Sequence, residues 1–300
     1  MVFQSDSELS SFCERVHMPQ TDYKLVALDL DGTVLDSRGN VADDFPDLIA
    51  SLAQRKVRTV VCTGRRWRTT VEALEQIGEA DPVVVCCGGA LIKDGQTHET
   101  LHKTPLRPGL ARQCVGLFRS ANLVPLLLYD RPLAERELLV SAGERQLARE
   151  LMYIRRNLHT VDFYRGELPD LEEKPLEVYT VDTRGIVQPA EVRAREEFQE
   201  KGFVTGLHQP GYPESQWVLQ VHNRSATKWN ALCWLMDNWG ISPREVVAIG
   251  DDVNDVPMLR GAGLSFAMAN AVPEARAAAD ELTDSNDESG VSRALHSVFS

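Results

Sequence analysis

Apolar and polar positions divide the chain into stretches of two textures. From Tyr23 to about residue 90, short unbroken apolar runs alternate with longer amphipathic segments. "YKLVALDLD", "VRTVVCT" and "PVVVCCGG" predict strands, with helices predicted over "DDFPDLIASLAQR" and "RRWRTTVEALEQIG" between them. Strands that are apolar throughout belong to a sheet covered on both faces, and helices of this length between them imply parallel strands with right-handed crossovers. The alternation returns near the C-terminus. "SATKWNALCWLMDNWG" reads as a helix with Ser225 as N-cap and Gly240 as its stop. "EVVAIGDD" is a strand, "VPMLRGAG" a short helix and turn, and "LSFAMAN" another strand. "PEARAAAD" is a helix opened by Pro273, and "ESGVSRALHSVF" closes the chain.

The stretch between mixes strand candidates such as "LVPLLLY" and "LEVYTVD" with helices such as "GERQLARELMYIRRNL", punctuated by proline and glycine. The expected architecture is α/β. Residues 1–90 and 221–300 form a doubly wound parallel-sheet, Rossmann-like core. Residues 91–220 form an inserted α+β cap domain with its own core.

Composition narrows the class. At 300 residues, 43% hydrophobic and 25% charged, this is an ordinary globular composition. No apolar run approaches the roughly 18–20 residues of a membrane span. The opening "MVFQSDSELSSFCERVHMPQ" carries acids and no apolar stretch, unlike a secretory signal, so a cytoplasmic protein without a membrane partner is expected. Cys13, Cys62, Cys86, Cys87, Cys114 and Cys233 show no CxxC pair or zinc spacing and read as buried thiols. The net charge of −12 argues against a nucleic-acid partner while leaving room for a small anionic substrate at a local site.

Four elements carry candidate chemistry. Asp29 and Asp31, two apart at a strand end, can face one pocket, and Gly32 lets main-chain N–H groups approach an anion. "CTGRR" sets the Thr63 hydroxyl and the Gly64 N–H where a helix begins, with Arg65 beside them. Lys228 stands in a first helical turn, where a cation is unfavourable unless an anion is near. "GDDVND" packs Asp251, Asp252, Asn254 and Asp255 together, which is costly unless a cation joins them. Singly, these read equally well as a capping turn, a Thr-Gly turn, a surface lysine and an acidic loop. In this order, each at a strand end or helix start, they supply two acids, a hydroxyl, a lysine and a divalent-ion site.

"DLDGT", "CTGR", the lysine of "SATKWNAL" and "GDDVND" resemble the four motifs of the haloacid dehalogenase-like superfamily. The position and size of the insertion resemble the cap of its Cof-like branch, which includes sugar-phosphate phosphatases. The tail from "FAMANAV" onward is similar to that branch as well. The resemblance implies a Mg2+-dependent phosphatase acting on a small phosphorylated metabolite, a sugar or polyol phosphate, through an aspartyl-phosphate. Asp29 would be nucleophile, and Asp31 general acid and then base. Asp29, the Asp31 main-chain carbonyl and Asp251 would hold Mg2+. Thr63 and Gly64 would bind phosphoryl oxygens, with Arg65 and Asn254 at the substrate, and Lys228 would neutralise charge. Asp255 would order Lys228 from behind, and Asp252 would make hydrogen bonds rather than bind metal. Asn270, Asn286 and Asp287 read either as site-facing loop residues or as turn and cap residues. Two departures bear on substrate fit: Gly88-Gly89-Ala90 where the branch usually carries Asn-Gly-Ala, and Ala269 where its tail often has glycine. His208, Tyr212 and Trp217 are candidates to stack on a sugar ring or parts of a plain linker. A phosphomutase on the same core, and a silent binding member, are the competing readings.

Overall fold

The computed structural model describes residues 22–77, 83–141, 143, 152–165, 168, 173–198, 200–208 and 216–299. In chain order the strands are β1 (Leu25–Asp29), β2 (Arg58–Cys62), β3 (Val83–Cys86), β4 (Leu91–Asp94), β5 (Thr100–Lys103), β6 (Leu126–Leu128) and β7 (Leu138–Ser141). They continue as β8 (Val161–Tyr164), β9 (Glu177–Thr183), β10 (Gly202–His208), β11 (Gln216–Asn223), β12 (Val246–Gly250), β13 (Leu264–Ala267) and β14 (Glu281–Leu282).

Two sheets result. The first runs β14-β13-β12-β1-β2-β3-β4-β5, parallel from β14 to β3. Its middle strand β1 is wholly buried, with Asp29 level with Cys62 of β2 and Leu28 level with Ile249 of β12. Chain order reverses between β1 and β12, so the crevice at their C-terminal ends is the switch point where such sheets bind ligands. Amphipathic helices pack against the sheet by apolar faces. Phe45–Gln54 buries Phe45, Leu48, Ile49 and Leu52 at helical spacing, and Lys228–Trp239 buries Ala231, Leu232, Leu235 and Met236.

The second sheet runs β10-β11-β9-β6-β7-β8, and its alternation explains its place. Leu127, Val178, Leu219 and Val221 pack with the helices Pro108–Ser120 and Arg184–Phe198, through Leu110, Phe118, Val187 and Phe198. Their neighbours Leu126, Leu128, Tyr179, Val181 and Val218 join the apolar cluster of the first sheet instead. One face is therefore roofed by helices and the other looks at the core.

Three expectations shift. β4 and β5 pair antiparallel with the first sheet as far as Lys103, because positive φ at Gly88 and Gly89 folds the chain back on β3. β11 stays in the second sheet to Asn223. We therefore place the junctions near 104 and 223, not at 90/91 and 220/221; the two crossing segments are tied by Asn223 Nδ2 donating to Pro105 O at 2.9 Å. The N-cap before Lys228 is Thr227, whose side chain accepts from Asn230 N, and not Ser225. The helix at Pro273 ends at Arg276, because Asp280 is held back by accepting from the Ser265 N–H and hydroxyl, and β14 then joins the sheet edge. Residues 144–151 of "GERQLARELMYIRRNL", together with Cys13 and Tyr212, lie outside the described residues, and the helix there is described over Met152–Arg156.

Candidate active site

Asp29 ends β1 with 5% of its surface exposed, and Asp251 directly follows β12. Adjacent parallel strands thus deliver two carboxylates from opposite ends of the chain to one crevice. Lys228, 1% exposed, enters from the helix on that side. Its ammonium donates to Asp29 Oδ1, to Asp255 Oδ1 at 2.6 Å and to Asn254 Oδ1 at 3.2 Å. All three ammonium protons are thereby used.

The acidic loop is held from within. Asp255 is fully buried, and its Oδ2 accepts from the main-chain N–H groups of Asp251 and Asp252 at 3.0 Å each. The Asp252 side chain turns back to cap its own loop, accepting from Val253 N at 2.7 Å. Thr33 Oγ1 donates to Asp251 Oδ1 at 2.8 Å, and a Cβ on Gly32 would lie 2.4 Å from Asp251 Oδ2. Only glycine permits that approach of the β1 loop to the carboxylate.

Each of Asp29, Asp251 and Asp255 offers one oxygen within 4.8 Å of the other two, against one lysine. Burial pushes the Asp29 carboxyl well up despite Lys228. Burial and the nearby Asp255 push Asp251 up to about 6. Burial alone would depress Lys228, but Asp255 and Asp29 outweigh it and raise its pKa. Excess negative charge among hard oxygen donors fits a small divalent cation. Since both oxygens of Asp255 are engaged, Asp29 and Asp251 are the side chains that would hold it.

Thr63 is fully buried beyond β2, and Gly64 and Asn254 line the same small cavity. Thr63 Oγ1 accepts from Arg65 N at 3.0 Å. Asp31 and Arg65 are found together: Arg65 Nε donates to Asp31 Oδ2 at 2.9 Å and Nη2 to Oδ1 at 2.6 Å. Both Asp31 oxygens are thus taken by a guanidinium, and Arg65 grips an acid of the protein. The tail residues fasten the loop after β1. Asn270 Nδ2 donates to Gly32 O at 2.8 Å, Asn286 Nδ2 donates to Leu35 O at 2.8 Å, and Asp287 Oδ1 accepts from Ser37 N. Trp217 lies under the Arg184 guanidinium and donates to Glu191, an arrangement internal to the inserted domain. Of His208 only the backbone, in β10, is described.

Three features escape the sequence reading. Thr33 was signalled by its place in "DLDGT". Arg66, buried, pairs with Glu137 and donates to Asn157 Oδ1 at 2.9 Å, joining the start of the helix Trp67–Ile77 to the second-sheet segment around β7. Glu177 and His222, both buried, face each other between β9 and β11. Burial pushes Glu177 up to about 8 and His222 down to about 4. The ordinary values are near 4.5 and 6.5. Above pH 4.5 folded Glu177 keeps a proton that the unfolded chain has lost, so its contribution falls as pH rises toward 8. His222 acts oppositely up to pH 6.5, and the two offset each other below that point. Glu177 should therefore contribute a loss of thermal stability as pH rises from 6.5 toward 8, and Glu177→Gln should flatten the slope of melting temperature against pH there. Equal slopes in thermal melts of the two proteins would refute a buried Glu177 that keeps its proton.

A parallel sheet whose switch point gathers four motif segments around a buried lysine and an acidic trio defines a haloacid dehalogenase-like hydrolase. Residues 26–295 match that family, the haloacid dehalogenase-like hydrolases, and the chain belongs to it. It is 25% identical over 300 residues to the 5-amino-6-(5-phospho-D-ribitylamino)uracil phosphatase YwtE of Bacillus subtilis, covering 92% of this chain and 98% of that protein. It is also 25% identical over 303 residues to the phosphatase YwpJ of the same bacterium, covering 91% and 98%. A solved haloacid dehalogenase-like hydrolase from Bacteroides thetaiotaomicron has a TM-score of 0.74 at 24% identity, covering 92% of this chain and 100% of that one. The subclass IIB sugar phosphatase BT4131 has a TM-score of 0.68 at 17% identity, covering 91% and 98%. These structural likenesses bear on fold. By family and relatives the protein is an enzyme, a phosphoric monoester hydrolase. Among the described residues no helix is long and apolar enough to cross a membrane.

Proposed function

We propose that the protein is a Mg2+-dependent phosphatase that hydrolyses a small sugar or polyol phosphate through a phosphorylated Asp29. The reading is carried by one observation: Asp29, Lys228, Asp251 and Asp255 converge in a single buried cluster at the sheet's switch point. Asp29 Oδ attacks phosphorus as the bond from phosphorus to the leaving oxygen breaks, and Asp31 gives its proton to that oxygen. Asp31 then takes a proton from water, whose oxygen bonds to phosphorus while the Asp29 bond breaks. Bound between Asp29 and Asp251, Mg2+ would supply positive charge that keeps Asp29 ionised and reduces its repulsion from the phosphate. Thr63 and the Gly64 N–H hold phosphoryl oxygens, and Asn254 and Lys228 flank them.

Both Asp31 oxygens are taken by Arg65 in the structure, so proton delivery requires one of those bonds to open. An arriving phosphate beside Gly64 is the natural competitor for the guanidinium. Lysine cannot make the two-pronged grip. Arg65→Lys should therefore lower kcat on the order of ten- to a hundredfold while the melting temperature stays close to wild type, as a steady-state assay beside a thermal melt would read.

The test of the reading is release of inorganic phosphate from a panel of phosphorylated metabolites. Turnover should require added Mg2+, vanish with a chelator and return when Mg2+ is restored. Chelator-resistant hydrolysis would reject the ion, and phosphate shuttled between hydroxyls without release would indicate a mutase.

A further inference from the structure

The inserted domain touches the core at more than its two crossing segments. The loop from Tyr129 to Glu137, between β6 and β7, is closed at its neck by Tyr129 N donating to Glu137 O at 2.9 Å. From each side of that neck an acid reaches the core. Asp130 pairs with Lys93 of β4 at 2.8 Å and accepts from Thr100 Oγ1 of β5 at 2.7 Å. Glu137 pairs with Arg66 and stands 3.7 Å from Arg68 Nε. Arg68 Nη2 also donates to Glu135 O at 2.7 Å, and Arg66 Nη2 donates to Asn157 Oδ1 at 2.9 Å.

The two anchors differ in leverage. β5 runs directly into the crossing near 104, so the Asp130 anchor sits beside that crossing and moves little in a rotation about it. Arg66 follows β2, three strands away from β5 and so about 14 Å farther across the sheet. A rotation about the crossing segments therefore opens the Glu137 contact first. Arg66 is also fixed from the core side: its carbonyl accepts from Thr70 N at 3.0 Å and from Thr70 Oγ1 at 2.9 Å. It directly follows Thr63, Gly64 and Arg65 in the chain. Arg66 and Glu137 are only 8% and 5% exposed, and separating the two domains would return both charges to water. A buried ion pair adds little net stability when its charges can be rehydrated, so its worth lies in the one arrangement that brings its partners together.

We infer that Glu137 is a positioning residue: gripping Arg66 and Arg68, it latches the inserted domain over the loop Thr63–Arg66 before substrate arrives, while Asp130 serves as the pivot. The latch acts on the population of closed enzyme and not on the reacting atoms. Apparent affinity scales with the fraction of molecules already in the binding-competent arrangement, whereas a complex once closed reacts at its own rate. Loosening the latch thus raises KM and spares kcat. Its bearing on turnover rests on the phosphatase reading; its bearing on domain position does not.

The test joins steady-state kinetics on a phosphate monoester that wild type hydrolyses to hydrogen–deuterium exchange of the substrate-free protein. Glu137→Ala should raise KM on the order of tenfold with kcat within about twofold of wild type, and should speed exchange in peptides covering 63–70 and 129–141. Glu137→Gln still offers an oxygen to Arg66, so both effects should follow in the same direction at about threefold, which keeps the test open should the alanine variant not fold. A fall in kcat with KM unmoved would mean only that less enzyme is folded, and would overturn the latch. Faster exchange with unmoved kinetics would leave a structural contact without a positioning role. A raised KM without faster exchange would put Glu137 at the substrate instead. Wild type inert toward every phosphate monoester would sink the phosphatase reading, while exchange unchanged in both variants would sink the latch on its own.

Discussion

Asp29→Asn should abolish phosphate release, lowering kcat by a factor on the order of 10^4 or more, without unfolding the protein. The amide has nearly the shape of the carboxylate but cannot form the acyl phosphate. Burial and like charges already push the Asp29 carboxyl toward its neutral form, so a neutral side chain there relieves a cost. Lys228 keeps Asp255 and Asn254 as partners. The melting temperature of the variant should therefore equal or exceed wild type. Activity and stability separate at this position because the site concentrates charge for chemistry at the expense of folding. A thermal melt beside a phosphate-release assay checks both halves, and turnover near wild type would reject Asp29 as nucleophile.

Lys228→Met should damage both properties. Methionine fills the space of the lysine stem but leaves Asp29 and Asp255 buried without their cation. Removing one partner of a buried charge cluster typically costs about 3–5 kcal/mol, which for a chain of this length lowers the melting temperature by roughly 10 °C. Neutralising the exposed-by-loss acid should separate the two effects. In Lys228→Met/Asp255→Asn much of the stability returns, since asparagine Oδ1 can still accept from the Asp251 and Asp252 N–H groups. Activity does not return, since no ammonium remains beside Asp29. An unchanged melting temperature in the single variant would show that Lys228 is not the counter-charge of the cluster.

Much of this site was legible before any coordinates. Asp29, Thr63 and Asp251 sit at ends of short apolar runs separated by helix-length segments, the pattern of buried parallel strands, whose C-terminal ends lie on one edge of the sheet. Lys228 announced itself as a cation in the wrong turn of a helix. The Asp31–Arg65 grip was hidden because it depends on side-chain direction across two strands, which spacing does not encode. The Glu177–His222 pair was hidden for a different reason: it needs the register between β9 and β11, strands separated along the chain by a helix and a third strand. The N-cap moved from Ser225 to Thr227 because local chemistry allows either residue, and tertiary packing around Lys228 decides between them. The Ala-rich segment after Pro273 has good helical propensity, yet Asp280 serves Ser265 and the chain must turn. Local preference yielded there to a single side-chain anchor.

The claim on which the account depends is that the carboxylate ending β1 becomes covalently bonded to phosphorus during turnover. Acid quench of the enzyme in steady state with Mg2+ and a polyol phosphate, followed by peptide mapping by mass spectrometry, reads this directly. The account predicts one phosphoryl group on the peptide containing Asp29, absent in Asp29→Asn and discharged when substrate is exhausted. A phosphoryl group found on another residue, or none on an enzyme that is turning over under the same quench, would contradict it.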